Sequence, residues 1–285
     1  YFFFSFFLLF YKRRGGTVKI LILASNKDKD FYQNSLADGY IFPLRDYSMD
    51  YEVKFTIEEI ESLRNINKKC FIVINRMFFE SDLDNLDKIL SKIAAMNVDG
   101  VLYYDDSILE LKIENDYNIN LYINKNYIMT NSSTINFYHK YGVKGVVLSN
   151  DITLDEIKMI RENTKLEIMQ LVIGYPVVAT SRRSLNTNSG NLERLEVIEP
   201  KSRQHYKLIE DEFGTSFISL KRFNGCKYLK DMNLDYGIVY QDDLDNDTVN
   251  KLVEDIKTNN IKEIDELVGR NRGFLNRKTI YKVVR

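Results

Sequence analysis

Residues 167–190 read EIMQLVIGYPVVATSRRSLNTNSG. The segment opens as a short, continuous apolar run with no strict alternation, which is how a strand buried on both faces reads. It breaks at Gly174-Tyr175-Pro176 and continues into a polar, basic turn, Thr180-Ser181-Arg182-Arg183. Working outward from it, the same kind of run recurs at 18–24, 40–44, 70–75, 100–104, 119–123 and 145–149, then at 166–172 and 236–241. The stretch quoted is therefore the end of the seventh strand in a series of eight.

Amphipathic helical segments separate these runs. Thr56 with Glu59 and Thr153 with Glu156 form capping-box patterns ahead of apolar stripes. Leu83, Leu86, Ile89, Leu90 and Ile93 lie on one helical face. Asp247 is the expected cap of a late helix, and Gly39, Asn67, Asn97, Gly142, Asn163 and Asn233 mark helix ends before strands. Alternating strands and helices imply parallel βα repeats, and eight strands are the number that closes a TIM-type barrel. The fold class expected is α/β, an irregular (β/α)8 TIM-type barrel. An open dinucleotide-binding sheet is disfavoured, because the first strand is followed by Ser25-Asn26-Lys27-Asp28 without a glycine.

One long insertion, 174–226, interrupts the repeat after strand seven. Leu192–Ile198, His205–Ile209 and Ser216–Leu220 read as short antiparallel strands within it. The domain expected is 17–285. Residues 1–16, an apolar aromatic run followed by Lys12-Arg13-Arg14, stand apart as a fragment end or mis-set start, or as the remnant of an anchor. The run is about half of the ~20 residues a membrane helix needs, so no stable membrane insertion is expected. A net charge of −1 argues against bulk attraction to nucleic acid, though not against a local basic patch. Two cysteines in no CxxC pattern suit a reducing, cytoplasmic setting. In the last residues, Thr279–Val284 alternate like a final strand.

The usual catalytic constellations are missing. His139 and His205 form no zinc motif, and two cysteines cannot hold an iron–sulfur cluster. No metal or cofactor is expected. Ser181 and Ser184 flank arginines, which cannot take a proton. Cys70 reads as a core residue. Polar strand ends are more suggestive: Asn75 and Arg76, Tyr104 and Asp105, Asn150, Tyr175, Ser181, Arg182 and Arg183. Two arginines over a barrel mouth would fork onto an anion, a carboxylate or a phosphate; equally, they could pair with Glu193, Glu196 or Asp211 and hold the insertion in place. Asp105 is the acid/base candidate, although Asp105, Asp106, Asp151, Asp242 and Asp243 are also the residues a helix N-terminus favours.

Several segments in order resemble the collagenase-like peptidases, family U32. They are Asn75–Ile89, Val98–Tyr104, Thr130-Asn131 with Tyr141-Gly142, Val146–Ile157, Glu167 with Gly174, and Asn271-Arg272-Gly273-Phe274. The resemblance implies a peptide hydrolase, and Glu167 joins the substrate-binding candidates through it. Many relatives carry His before the signature glycine and cysteines after it; here Ile173 and Tyr175-Pro176-Val177-Val178 stand there. Relatives with an iron–sulfur cluster take part in hydroxylating RNA bases or quinone precursors, a chemistry not carried over without the cysteines. The leading expectation is thus a peptidase-family protein acting on a peptide or anionic small molecule, with the arginines holding a substrate carboxylate and Asp105 acting as base on water. The alternatives are an RNA-modification or RNA-binding factor without a cluster, and a non-catalytic binding barrel.

Overall fold

The computed structural model describes residues 17–64, 67–126, 128–190, 196–201 and 203–277. Its strands in chain order are β1 (Lys19–Leu23), β2 (Gly39–Pro43), β3 (Lys69–Ile74), β4 (Gly100–Tyr103), β5 (Leu121–Ile123), β6 (Gly145–Val147) and β7 (Glu167–Gly174). They continue with β8 (Val177–Ser181), β9 (Glu196–Ile198), β10 (His205–Asp211), β11 (Gly214–Ser219), β12 (Phe223–Asn224) and β13 (Tyr236–Tyr240). β1 to β7 pair in parallel in sequence order, β13 pairs in parallel with both β7 and β1, and the circle closes. The fold is a TIM-type barrel with β13 as its eighth strand. The eight strands are those expected from the apolar runs.

Each barrel strand is buried along nearly its whole length, so hydrophobic burial, worth about 1.5–3 kcal/mol per large apolar side chain, drives the sheet from both faces. Helices Ile57–Leu63 and Leu154–Asn163 begin with the capping boxes at Thr56/Glu59 and Thr153/Glu156. Helix Leu83–Met96 buries Leu86, Ile89, Leu90 and Ile93 and ends on Asn97 in the left-handed conformation. The late helix Asn246–Thr258 is capped by Asp245, whose carboxylate accepts from the Thr248 N–H at 2.7 Å, and not by Asp247, which lies in its first turn. The cap is displaced because the chain leaves β13 through a turn in which Leu244 N–H bonds the Gln241 carbonyl.

The bottom of the barrel is filled by one aromatic wedge. The Tyr122 ring lies against Gly100 and Gly145 so closely that a Cβ at either glycine would overlap it. Phe71 meets Tyr122 and Tyr236 edge-on, each at 5.4 Å between ring centres. The Tyr122 hydroxyl then donates to Glu167 at 2.6 Å.

The insertion is a separate antiparallel sheet in the order β8-β11-β10-β9. The expectation of antiparallel strands holds, with one correction. Thr180 and Ser181, read from sequence as a turn, belong to β8 and pair with Ser216 and Thr215 of β11. Val-Val-Ala-Thr-Ser carries little apolar alternation, and its partner lies far along the chain, so no local signal marks it as a strand. Among the described residues, none of the four strands contributes to the barrel's hydrophobic core cluster. They are bound to the barrel by polar and cation–π contacts instead. β12 then returns to the barrel, antiparallel to the end of β7.

The Asn271–Phe274 segment locks that return. Asn224 N–H donates to the Asn271 carbonyl at 2.7 Å, and Arg272 bonds the Asn224 carbonyl at 2.8 Å while pairing with Asp265 at 2.5 Å. Gly273 (φ 54°) packs under the Phe223 ring. The strand expected at 279–284 lies outside the described residues, as do residues 1–16 and the part of Leu192–Ile198 before Glu196. Among the described residues no helix is long and apolar enough to cross a membrane.

A methyl group at either glycine under Tyr122 must displace the wedge. Gly145→Ala is expected to cost about 1–3 kcal/mol by overpacking. Tyr122→Phe, which keeps the ring and loses the bond to Glu167, should cost about 1 kcal/mol. Urea unfolding of the two variants checks this order.

Candidate active site at the barrel mouth

The polar strand ends meet at the C-terminal mouth of the barrel, where the loop after β2 and the inserted sheet converge. Asn75, just past β3, is used structurally. Its side-chain oxygen accepts from Met49 N–H at 3.0 Å and its nitrogen donates to the Met49 carbonyl at 3.3 Å. With Ser48, whose hydroxyl donates to the Val73 carbonyl at 2.6 Å, it pins the loop between β2 and the next helix. Arg76 stacks on Phe78 (4.6 Å) and Phe213 (4.4 Å) and pairs with Asp82 at 3.5 Å, so it ties the β3 loop to the insertion.

Asp105 is placed at the mouth, but both its oxygens are engaged. Oδ2 accepts from Phe78 N–H at 3.1 Å and Oδ1 from Ser107 N–H at 3.0 Å. It supports the following helix and the β3 loop, the scaffolding part a strand-end aspartate often takes. Asp106 stands at the N-cap position without making the capping bond, and pairs with Lys125 at 2.6 Å. Tyr104 is half-buried and extends the β4 ladder to the Ile74 carbonyl. Asn150 is half-buried after β6, with its side-chain nitrogen shut from solvent.

The basic turn borders the mouth from the inserted sheet. Arg182 is exposed and lies 3.8 Å above the Phe79 ring, which is itself 59% exposed. Arg183 is exposed, and its carbonyl accepts from Thr215. The Ser181 hydroxyl accepts from Arg183 N–H at 3.2 Å. Of the acids that could have tied the arginines down, Glu196 pairs with His205 and Asp211 with Lys54 at 2.9 Å, while Glu193 lies outside the described residues. Tyr175 stacks under Arg222 at 4.7 Å, and its N–H donates to Asp242 at 3.3 Å.

Glu167 does not join this group. It begins β7, so it sits at the opposite end of the barrel, bound to Tyr122 and 3.8 Å from Lys144. The signature glycine at the other end of β7 does face the mouth. Gly174 has φ 149°, and a Cβ on it would fall 2.7 Å from the Tyr240 Cβ, so only glycine lets Tyr240 approach.

That approach assembles a cluster the sequence reading passed over. Tyr51 and Tyr240 lie close together, and burial raises both hydroxyls well above the usual tyrosine range. Asp50 lies beside them and near the Ser216 hydroxyl of β11, which contacts Thr180 Oγ1 at 3.1 Å. Burial pushes the Asp50 carboxyl up to about 6, helped by Asp211 and opposed by Ser216 and Lys54. Burial likewise pushes Asp242 up to about 6, against the pull of Arg222 and the Tyr175 N–H. Asp50 (φ 74°) and Asp242 (φ 47°) both hold left-handed backbone, uncommon for residues other than glycine. The only sequence signals were an unusually long loop after β2 and the Asp242-Asp243 pair at a strand end.

The insertion carries its own electrostatic anchor at Glu210. Burial works to raise that carboxyl, but bonds from the Thr187 and Thr215 hydroxyls and from Asn186 and Thr187 N–H groups bring it down to about 2. The cysteines are remote from these groups. Cys70 and Cys226 are buried, with thiols pushed up to about 12 by burial. His139 and His205 are exposed, on an outer helix and on the inserted sheet. A groove lined by Asp28, Asp30, Asp245 and Asp247 opens at the outer rim beside β1 and β13. Asp28 and Asp245 cap the adjoining helices, and the groove has no cation to receive an anion.

The raised carboxyls set a pH dependence. Asp50 and Asp242 keep their protons in the folded state up to about 6, against an ordinary value of 3.8. The folded protein therefore binds more protons than the unfolded chain in that window, and its stability falls as pH rises through it. Asp50→Asn is expected to raise the urea midpoint at pH 7 and to leave it unchanged near pH 4. A midpoint equal to wild type at both pH values would contradict this.

The family model described as Peptidase family U32 matches residues 34–241. An uncharacterised protease of Methanocaldococcus jannaschii is 35% identical over 157 residues, 52% of this chain and 38% of its own length. A tRNA hydroxylation protein of Bacillus subtilis is 25% identical over 200 residues, 64% of this chain and 65% of its own. One of Haemophilus influenzae is 30% identical over 134 residues, 47% and 28%. The chain thus spans less than two thirds of the length of each. Among solved structures, a putative dihydrodipicolinate synthase family protein from Coccidioides immitis matches with a TM-score of 0.50 and 11% identity, over 87% of this chain and 74% of that one. This likeness is one of fold. A solved U32 peptidase matches with a TM-score of 0.49 and 13% identity, over 81% of this chain and 95% of that one.

Proposed function

The chain belongs to peptidase family U32, and from that membership and the make-up of its mouth we propose that it binds RNA, as an RNA-modification or RNA-binding factor without an iron–sulfur cluster, rather than acting on peptide bonds. The observation that carries the reading is the exposed Arg182 guanidinium stacked on the exposed Phe79 ring. Such a pair offers a cation for a phosphate and a flat apolar face for a base, the two features by which single-stranded RNA is held. Arg222 also stacks on Tyr175, but it is largely buried and paired with Asp243, so it serves the fold and not the exposed rim. Relatives named for tRNA hydroxylation support the same direction.

Peptide hydrolysis finds less support in the site. Asp105, the base it would need, has both oxygens committed to backbone N–H groups. The thiols are buried and held protonated, and the imidazoles lie on the outside of the fold. None is positioned to activate a nucleophile at the mouth.

Binding of unmodified tRNA by the full chain, measured by fluorescence anisotropy over a salt series, tests the proposal. Arg182→Ala should weaken binding several-fold and lower the magnitude of the salt slope by about 0.7. Phe79→Ala should cost about 1–3 kcal/mol through lost stacking, with little change in slope. Absence of tRNA binding at low salt, together with cleavage of casein or a peptide library, would overturn the RNA reading.

A further inference from the structure

The inserted sheet is joined to the barrel by a short neck. The chain leaves β7 at Gly174 and returns at Phe223, and these two residues pair with each other. On the sheet side, Ser219 N–H donates to the Pro176 carbonyl at 3.0 Å, where the ladder of β8 with β11 begins. Between these two pairings lie only Tyr175-Pro176 on the way out and Leu220-Lys221-Arg222 on the way back, all outside regular structure. The dipeptide after β13 clasps both strands of the neck. Tyr175 N–H donates to Asp242 at 3.3 Å, Arg222 pairs with Asp243, and the Arg222 guanidinium lies over the Tyr175 ring at 4.7 Å.

At the other end of β11 the sheet touches the barrel through the tip of the β10–β11 hairpin. β11 runs Gly214–Ser219, so the tip lies about 17 Å from the neck. Phe213 in the tip is seated on two cations of the barrel loops. The Arg76 guanidinium is 4.4 Å and the Lys54 ammonium 5.4 Å from its ring centre. Lys54 also pairs with Asp211 of the same tip at 2.9 Å, and Arg76 is braced on Phe78 and Asp82. Arg182 over Phe79 and Lys207 with Glu52, at 3.4 Å, are further cationic contacts across the same seam. Contacts of this kind are individually weak. Two bodies in one chain move relative to each other unless a large apolar interface joins them, and among the described residues the sheet adds nothing to the barrel's hydrophobic core cluster.

We propose that the inserted sheet is a hinged lid, which turns as one body about the neck at Tyr175-Pro176 and Leu220–Arg222 and is latched over the barrel mouth by Phe213 seated on Arg76 and Lys54. The antiparallel ladder keeps the lid rigid, and the clasp at Asp242-Asp243 keeps the neck in place while the tip travels. The exposed rim pair spans the seam, since Arg182 belongs to the lid and Phe79 to the barrel. Opening parts the two and gives a ligand its way in; closing brings them together on it. The motion does not depend on the RNA reading, because any ligand of the mouth would enter by the same route.

The test needs no ligand. Spin labels go on the full chain at Glu212→Cys in the lid tip and, in turn, at Glu61→Cys or Lys88→Cys on barrel helices, all exposed positions, while Cys70 and Cys226 are buried. Pulsed electron paramagnetic resonance reads the distances. The labelled parent should show one narrow distance from each barrel position. Phe213→Ala should raise the open-to-closed ratio about tenfold. Phe213→Ala combined with Lys54→Gln, which removes the whole latch, should make a distance several ångströms different the major one from at least one barrel position. Amide hydrogen exchange of the combined variant should find the β10–β11 ladder as protected as in the parent. Distances unchanged from both barrel positions in the combined variant overturn the proposal. So does loss of ladder protection, because the sheet would then be melting and not turning.

Discussion

The barrel closes around Tyr122. Its ring occupies the space that side chains on β4 and β6 would otherwise take, and Gly100 and Gly145 vacate that space. Phe71 and Tyr236 complete an aromatic layer from across the barrel, and Glu167 and Lys144 finish it at the lower rim. Interiors are close-packed, so a layer of this kind fixes the spacing of the strands that surround it. With the lower end filled by apolar and aromatic groups, the opposite end is left for polar loops.

At that upper end the geometry follows from a second close approach. Gly174 lets Tyr240 lean over β7, and Tyr240 meets Tyr51 from the loop that Asn75 pins. The Asp50 carboxyl beside them loses water and holds its proton more tightly, the usual consequence of burying a carboxyl whose nearby lysine is taken by another acid. The rim differs in kind: Arg182 lies over the Phe79 ring in contact with solvent, whereas Arg222, stacked on Tyr175, is largely buried and paired with Asp243.

Sequence patterning carried the fold well because its signals are local. Eight apolar runs, two capping boxes and the stripe on Leu83–Met96 each report a short stretch of backbone, and each is found where expected. Strand β8 escaped because Val177–Ser181 is stabilised by a partner distant in sequence. The site was legible only in part for the same reason. Asn75, Arg76, Tyr104, Asp105, Asn150, Tyr175, Ser181, Arg182 and Arg183 were placed at the mouth by strand-end position alone, but position does not tell whether a carboxylate's oxygens are already occupied, as those of Asp105 are. Asp50 and Tyr51 lie in a loop with no motif, and nothing in the chain advertises that Tyr240 and Ser216 reach them. Glu167 was drawn in by resemblance to a signature whose two ends lie at opposite ends of one strand.

The inserted sheet satisfies its own ladder, folds back at β12 and leaves the barrel's apolar interior untouched. Barrel and sheet are therefore held together by different sets of contacts. Substitutions on β8–β11 can accumulate without disturbing the cooperative unit beneath, while those under Tyr122 cannot. Some fifty residues over the mouth can thus be exchanged while the barrel beneath keeps its packing.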